Sequence, residues 1–448
     1  MDLSEQIAAP ARQLREDMRP LIIFALAPAL FAQLPPGFET HLAAGQLAIQ
    51  QSRYSEANTQ LRAAISDAEA GHLEPNRLPL RVVDAYAALC DLDLMMNRYD
   101  EAIALASKAS STAEALTAQD LTPHLARLAG AYRAGGQTPL ALPVLERILT
   151  LDKTTLGADD PKVSADYDKL GSAYMELHQM DDARSAYQQA LETRVSRLGP
   201  DQIEVATSWV NLGVLEDRNA RPKDARADFE KALAISETRL GPENYGLTGI
   251  LDRLGMLLRS QKQYADAEPM YQRSLAIREK ALGARNADVA PALDNLGLTY
   301  FFDSKYAEAE PLFQRALQIW ISTQGPTSPL VAQSLDNLGS LYAAQKRYTE
   351  AEPLFKKALA IRETRDIESL SNLALLYETT NDMKRSEEYF LRAILVGEKS
   401  MGGEHIEVLD TIDEYVVLLR ATGRIAEAKK MEAHGKELKD KMIPPRQQ

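Results

Sequence analysis

Cysteine, long apolar runs and positive net charge are all scarce in this chain, and each shortage narrows what it can be. The single cysteine, Cys90, lies in the run Ala87-Ala88-Leu89-Cys90. No intramolecular disulfide can form, so the fold must rest on its own core, with Cys90 as part of the filling. The one extended apolar stretch, Leu21 to Ala32 (LIIFALAPALFA), is too short to cross a bilayer but well sized for the apolar segment of a secretory leader. Met18-Arg19 stand just before it and Ala32-Gln33 close it. A start at Met18 and cleavage near Ala32 would make the chain secreted or periplasmic. If the segment is retained it becomes an anchoring or packed extension, with membrane contact through that segment alone or a cytoplasmic location.

The charge balance, 51 Lys plus Arg against 64 Asp plus Glu for a net of -13, comes without any Arg-rich block and argues against nucleic acid as a partner. The six histidines (His41, His72, His124, His178, His405 and His434) never fall at metal-ligand spacing. No phosphate-binding loop is present, and Gly135-Gly136 reads as a helix turn. Acidic residues recur periodically as helix-end and solvent-face charges, which singles out no catalytic pair. The expectation is therefore a protein that is not an enzyme and takes no cofactor, metal or small-molecule substrate.

What the chain has in abundance is repetition. Gly157, Gly199, Gly241, Gly283 and Gly325 are spaced by 42 residues, so one structural unit recurs without insertion. That regularity predicts a stacked solenoid whose product is a long binding surface. Residues 290–323 show the unit clearly. Leu293, Leu296, Gly297 and Tyr300 fall on one face of a first helix, and Tyr306, Ala309, Phe313 and Ala316 on one face of a second. Gly297 and Ala309 are small where the two helices must approach closely. Asp303 and Ser304 turn the chain between them, and Gly325-Pro326 stops the second helix. Pro269, Pro311 and Pro353 fall four to five residues into second helices as structural features.

The neighbouring units repeat this grammar around Leu170-Gly171, Leu212-Gly213, Leu254-Gly255 and Leu338-Gly339. The period breaks once, between Asn337 and Asn372, which are 35 residues apart because IRETRDIESLSNL lacks the Gly-Pro spacer. Ten helix pairs fit between about 38 and 435. The chain divides into a leader or extension over 1–35, degenerate units over 36–152, the regular array over 153–435 and a short fraying tail over 436–448.

The segments NLGLTYFFDSKYAEAEPLFQRALQI and NLGSLYAAQKRYTEAEPLFKKALAIRE resemble the tetratricopeptide repeat, in the 42-residue form similar to kinesin light chain repeats. The resemblance covers most of the chain. It implies an all-α, right-handed superhelical solenoid of antiparallel helix pairs, acting as a scaffold or adaptor that holds a peptide or protein segment in its concave groove. The alternative is a structural subunit that uses its repeats for permanent contacts. In kinesin light chains, first-helix asparagines commonly contact the peptide backbone, and by resemblance those positions are Asn211, Asn295, Asn337 and Asn372. An Asn amide both donates and accepts, so it can hold an extended backbone whatever the side chains. Lys169 and Arg253 interrupt this ladder. With first helices lining the concave face, the expected surface comprises Asp294, Asn295, Leu298, Phe302, Asp336, Asn337 and Ser340, extended by Arg253, Met256 and Arg259.

Overall fold

The computed structural model describes residues 37–70, 80–114, 117–362, 366–400 and 406–442. The apolar segment Leu21–Ala32 and the proposed start at Met18 lie outside the described residues. Among them every element of regular structure is helical, and no helix is long and apolar enough to cross a membrane. The architecture is a solenoid of helix pairs.

By its contacts the chain divides into two compact units, Met1–Asp228 and Phe229–Gln448. The first contains α1 (Phe38–Gln50), α2 (Tyr54–Ala70), α3 (Leu80–Met95), α4 (Tyr99–Ala113), α5 (Ala118–Ala134), α6 (Thr138–Leu156), α7 (Pro161–Glu176), α8 (Met180–Leu198) and α9 (Ile203–Arg218). The division falls inside α10 (Pro222–Leu240). The second unit contains α11 (Thr248–Ser260), α12 (Tyr264–Leu282), α13 (Ala290–Phe302), α14 (Tyr306–Gln324), α15 (Pro329–Ala344), α16 (Tyr348–Ile361), α17 (Ile367–Thr379), α18 (Met383–Ser400), α19 (Ile406–Ala421) and α20 (Ile425–Met442). Odd-numbered helices are the first of each pair. The last helix runs on to Met442 with Leu438 buried, so the tail expected from Lys436 is in its first part an ordered helix.

Four of the pairs are clamped where a glycine meets an aromatic ring. A Cβ on Gly297 would come within 2.7 Å of the Phe313 ring, and Gly171, Gly255 and Gly339 stand in the same relation to Tyr187, Tyr271 and Phe355. A methyl group at any of these positions would push the helices apart. The turn inside each pair has a constant form. Ser52, Asn97, Gly136, His178, Ala220, Lys262, Ser304, Lys346, Asn381 and Gly423 all adopt positive φ, between 53° and 77°. The next residue's amide then bonds five residues back, as Lys305 N–H does to the Tyr300 carbonyl at 2.8 Å and Arg347 to Tyr342 at 2.8 Å. This left-handed cap satisfies carbonyls that a helix end otherwise leaves open.

Between pairs the stop is different. Gly157, Gly199, Gly283 and Gly325 combine φ of 85° to 95° with ψ of 148° to 163°, a conformation almost confined to glycine. Where that spacer is missing, α16 is 14 residues long against 19 for α12 and α14, which contributes most of the shortening of the period. In the second unit α11, α13, α15, α17 and α19 touch one another in succession, while α12, α14, α16, α18 and α20 do not pack on one another in this way. First helices therefore lie on the inner side of the curve.

Candidate functional site

Two recurring polar ladders occupy much of the repeat interior. In the first, an Asp three residues before the first-helix Gly pairs with an Arg 26 residues later. Asp252 takes Arg278 at 2.7 Å, Asp336 takes Arg362 at 2.7 Å, and Asp168 takes Arg194. Trp320 replaces the Arg once, its indole N–H donating to Asp294 Oδ2 at 3.4 Å. In the second ladder, a second-helix Glu accepts from the Tyr and the turn cation of the following pair. Glu268 accepts from Tyr300 and Lys305 at 3.0 and 3.1 Å, and Glu310 from Tyr342 and Arg347 at 2.9 and 2.8 Å. Glu387 does the same with Tyr415 and Arg424 at 2.8 and 2.7 Å.

These ladders correct part of the expected surface. Asp336 is only 1% exposed, and its carboxylate is taken by Arg362 and by the Ser369 hydroxyl at 3.0 Å. It belongs to the repeat interior and cannot line a groove. Asp294 occupies the same station one repeat earlier and is half-buried, one oxygen turned to Trp320 of the second helix. The sequence carried a signal for this, the D-x-L-G motif with Arg 26 residues on, which a reading of single helix faces passes over. Asp336, Asp366 and Glu368 do bring ligand oxygens within 4.8 Å of one another. The Arg362 guanidinium stands among them, at 2.5 Å from Asp366, and supplies the cation.

The asparagines separate into two kinds. Asn211 donates to Asp168 Oδ1 at 3.0 Å, bridging consecutive first helices. Asn295 receives Arg259, whose guanidinium reaches its backbone carbonyl at 3.1 Å and its side-chain oxygen at 3.4 Å. The same Arg259 lies over the Tyr271 ring, 5.5 Å from its centroid, so it too is spent within the fold. Asn337 and Asn372, on α15 and α17, are half-buried with no side-chain hydrogen bond to any described residue. Leu298 and Ser340 are half-buried on α13 and α15, and Arg253 is exposed on α11. Phe302 is 52% exposed at the end of α13, edge-on to Phe301 at 5.3 Å and stacked with Tyr264 at 6.5 Å.

The inner face of the first unit is laced differently. Arg81 of α3 pairs with Glu39 of α1 at 2.5 Å, Arg127 of α5 with Asp91 of α3 at 2.7 Å, and Arg133 of α5 with Glu176 of α7 at 2.5 Å. His124, also on α5, is buried and uncharged, its pKa lowered to about 4 chiefly by burial and then by Arg127.

Two family models, both of the tetratricopeptide repeat, match this chain over residues 163–238, 247–314, 292–364 and 367–407, together more than half of its length. The chain belongs to the tetratricopeptide repeat family. Repeats of this kind generally mediate binding of proteins and peptides through their concave groove, and such scaffolds are typically non-catalytic.

Among solved structures it is similar to BtubC (BKLC) from P. vanneervenii, at 24% identity over 51% of this chain and 92% of the other, with a TM-score of 0.46. It is similar to the nearly identical TPR-like repeats of a Podosopora anserina kinesin light chain candidate, at 22% identity over 45% and 95%, with a TM-score of 0.41. Aspartyl phosphate phosphatase F from Bacillus subtilis matches at 14% identity over 86% and 98%, with a TM-score of 0.48. At these values the likeness concerns the repeat fold alone. No curated protein sequence matches.

Proposed function

We propose that the inner face of the second unit binds an extended peptide or protein segment, with Asn337 and Asn372 holding its backbone. The observation that carries this reading is the contrast among the asparagines. Asn211 and Asn295 are consumed by contacts between repeats, while Asn337 and Asn372 stand half-buried on successive first helices without side-chain partners. A half-buried amide gains by meeting a donor and an acceptor together, and an extended backbone offers both. Ser340, one turn after Asn337 on α15, offers a further hydroxyl, and Leu298 holds the equivalent position one repeat earlier.

The test uses the full chain, tagged at its carboxyl end, and pools of synthetic nonapeptides. Asn337→Ala with Asn372→Ala is expected to weaken peptide retention about tenfold, the loss of one to two net hydrogen bonds, with helix content and thermal midpoint unchanged. Equal retention by variant and wild type would reject the assignment.

A further inference from the structure

The outer side of the second unit departs from its own pattern in α18. In α12, α14 and α16 the residue after the buried Tyr or Phe is polar and bonds the Glu four residues before it. Gln272 donates to Glu268 at 2.9 Å, Gln314 to Glu310 at 3.0 Å and Lys356 to Glu352 at 2.7 Å. One turn on, the exposed station holds Ala276, Gln318 and Ala360. In α18 these two stations are Leu391 and Leu395, 44% and 49% exposed. The repeat fold asks for neither leucine, since the equivalent positions serve elsewhere with polar or minimal side chains.

Leu391 and Leu395 share one stripe of α18 with Lys384, Glu388 and Lys399, all five exposed and all within about 80° around the helix axis. Among the described residues Glu388 and Lys399 make no ion pair or hydrogen bond. Other charges on the same helix are engaged within the fold: Arg385 by Asp382, Glu387 by Tyr415 and Arg424, and Glu398 by His434 at 2.5 Å. The stripe thus has an apolar centre flanked by a free acid on one side and a free base on the other. Such a pattern matches its own reverse. An antiparallel second α18, related by a twofold axis midway between the leucines, sets Leu391 on Leu395 of the second copy and Glu388 opposite its Lys399. A parallel arrangement would set like charges against each other at both flanks.

We propose that the α18 stripe is a homodimer contact, formed by two copies of this chain with their α18 helices antiparallel about a twofold axis. The same patch serves on both copies, so the contact closes on itself and does not propagate into fibres. It spans about four turns of one helix per copy, which is small for a specific interface, and the association is therefore reversible. Because α18 lies on the outer side, both inner faces stay open. The dimer offers two grooves at once, so a partner carrying two binding segments is held more tightly than either groove alone allows.

Sedimentation equilibrium of the full-length chain, from low to high micromolar concentration, tests this. The average mass is expected to rise with concentration toward that of a dimer. Leu391→Gln with Leu395→Gln, the residues α14 carries at these stations, should weaken association by about tenfold or more with the circular dichroism spectrum unchanged. Glu388→Lys alone should weaken it by facing Lys399 with a like charge, and Glu388→Lys with Lys399→Glu should recover it, because the exchange rebuilds both pairs. A chain that stays monomeric throughout, a dimer indifferent to the leucine variant, or a charge exchange without recovery overturns the proposal. A monomeric wild type that loses a different co-purifying protein in the leucine variant also overturns it and assigns the stripe to that partner. None of these outcomes bears on peptide retention through Asn337 and Asn372.

Discussion

The turn inside each helix pair needs one residue in the left-handed region, and eight of the ten described turns place a residue other than glycine there. A Cβ in this conformation costs about 1–2 kcal/mol. Ala220, at φ 53° and with no polar side chain to compensate, should bear most of that strain. Ala220→Gly is therefore expected to stabilise the protein by about 0.5–1 kcal/mol, read as a higher denaturation midpoint in urea. Gly283 is the converse. A Cβ there meets nothing within 4 Å, so only its backbone angles object, and Gly283→Ala should cost about 1–3 kcal/mol.

Glu414 adds a pH dependence at the same scale. Its folded pKa, about 7, lies above its ordinary value, so the folded state holds the proton more tightly and the associated stability is present at low pH. That contribution is lost as pH rises through about 7. Thermal melts of wild type and Glu414→Gln at pH 5 and pH 8 should show a smaller drop in the variant, and equal drops would reject the assignment.

Helices in this protein are defined by what lies across from them. Gly297 reads as small in the sequence, but its meaning comes from Phe313, buried 16 residues later on the second helix. The ring cannot swing away in a packed interior, so Gly297→Ala should destabilise by about 1–3 kcal/mol through overpacking. That both Gly297 and Ala309 face a close helix contact was legible from spacing alone, because a period of 3.6 residues assigns a face. The ladders that claim Asp336 and Asp294 were not. Each Asp lies on the face a simple periodic reading gives to the groove, yet its partner Arg362 or Trp320 comes from across the pair. The same limit applied to the asparagines, which look alike in sequence until Arg259 and Asp168 are seen to claim two of them.

For the molecule as a whole, contacts run from each pair to the next within a unit, so stability is local and approximately a sum of pair and interface contributions. Hydrogen exchange in Gly297→Ala should accelerate in α11–α16 while α1–α4 keep their protection; a uniform increase along the chain would contradict this neighbour-limited account. The 42-residue period, the helix pairs, the glycine stops and the shortened unit near residue 362 were determined by the sequence itself, because they depend on local periodicity and backbone permission. Which asparagines stay available and which aspartates turn inward were decided only by the tertiary structure. Those properties depend on side chains that stacking brings together from helices far apart in the chain, and no single-helix pattern encodes which of several possible neighbours a polar group will meet.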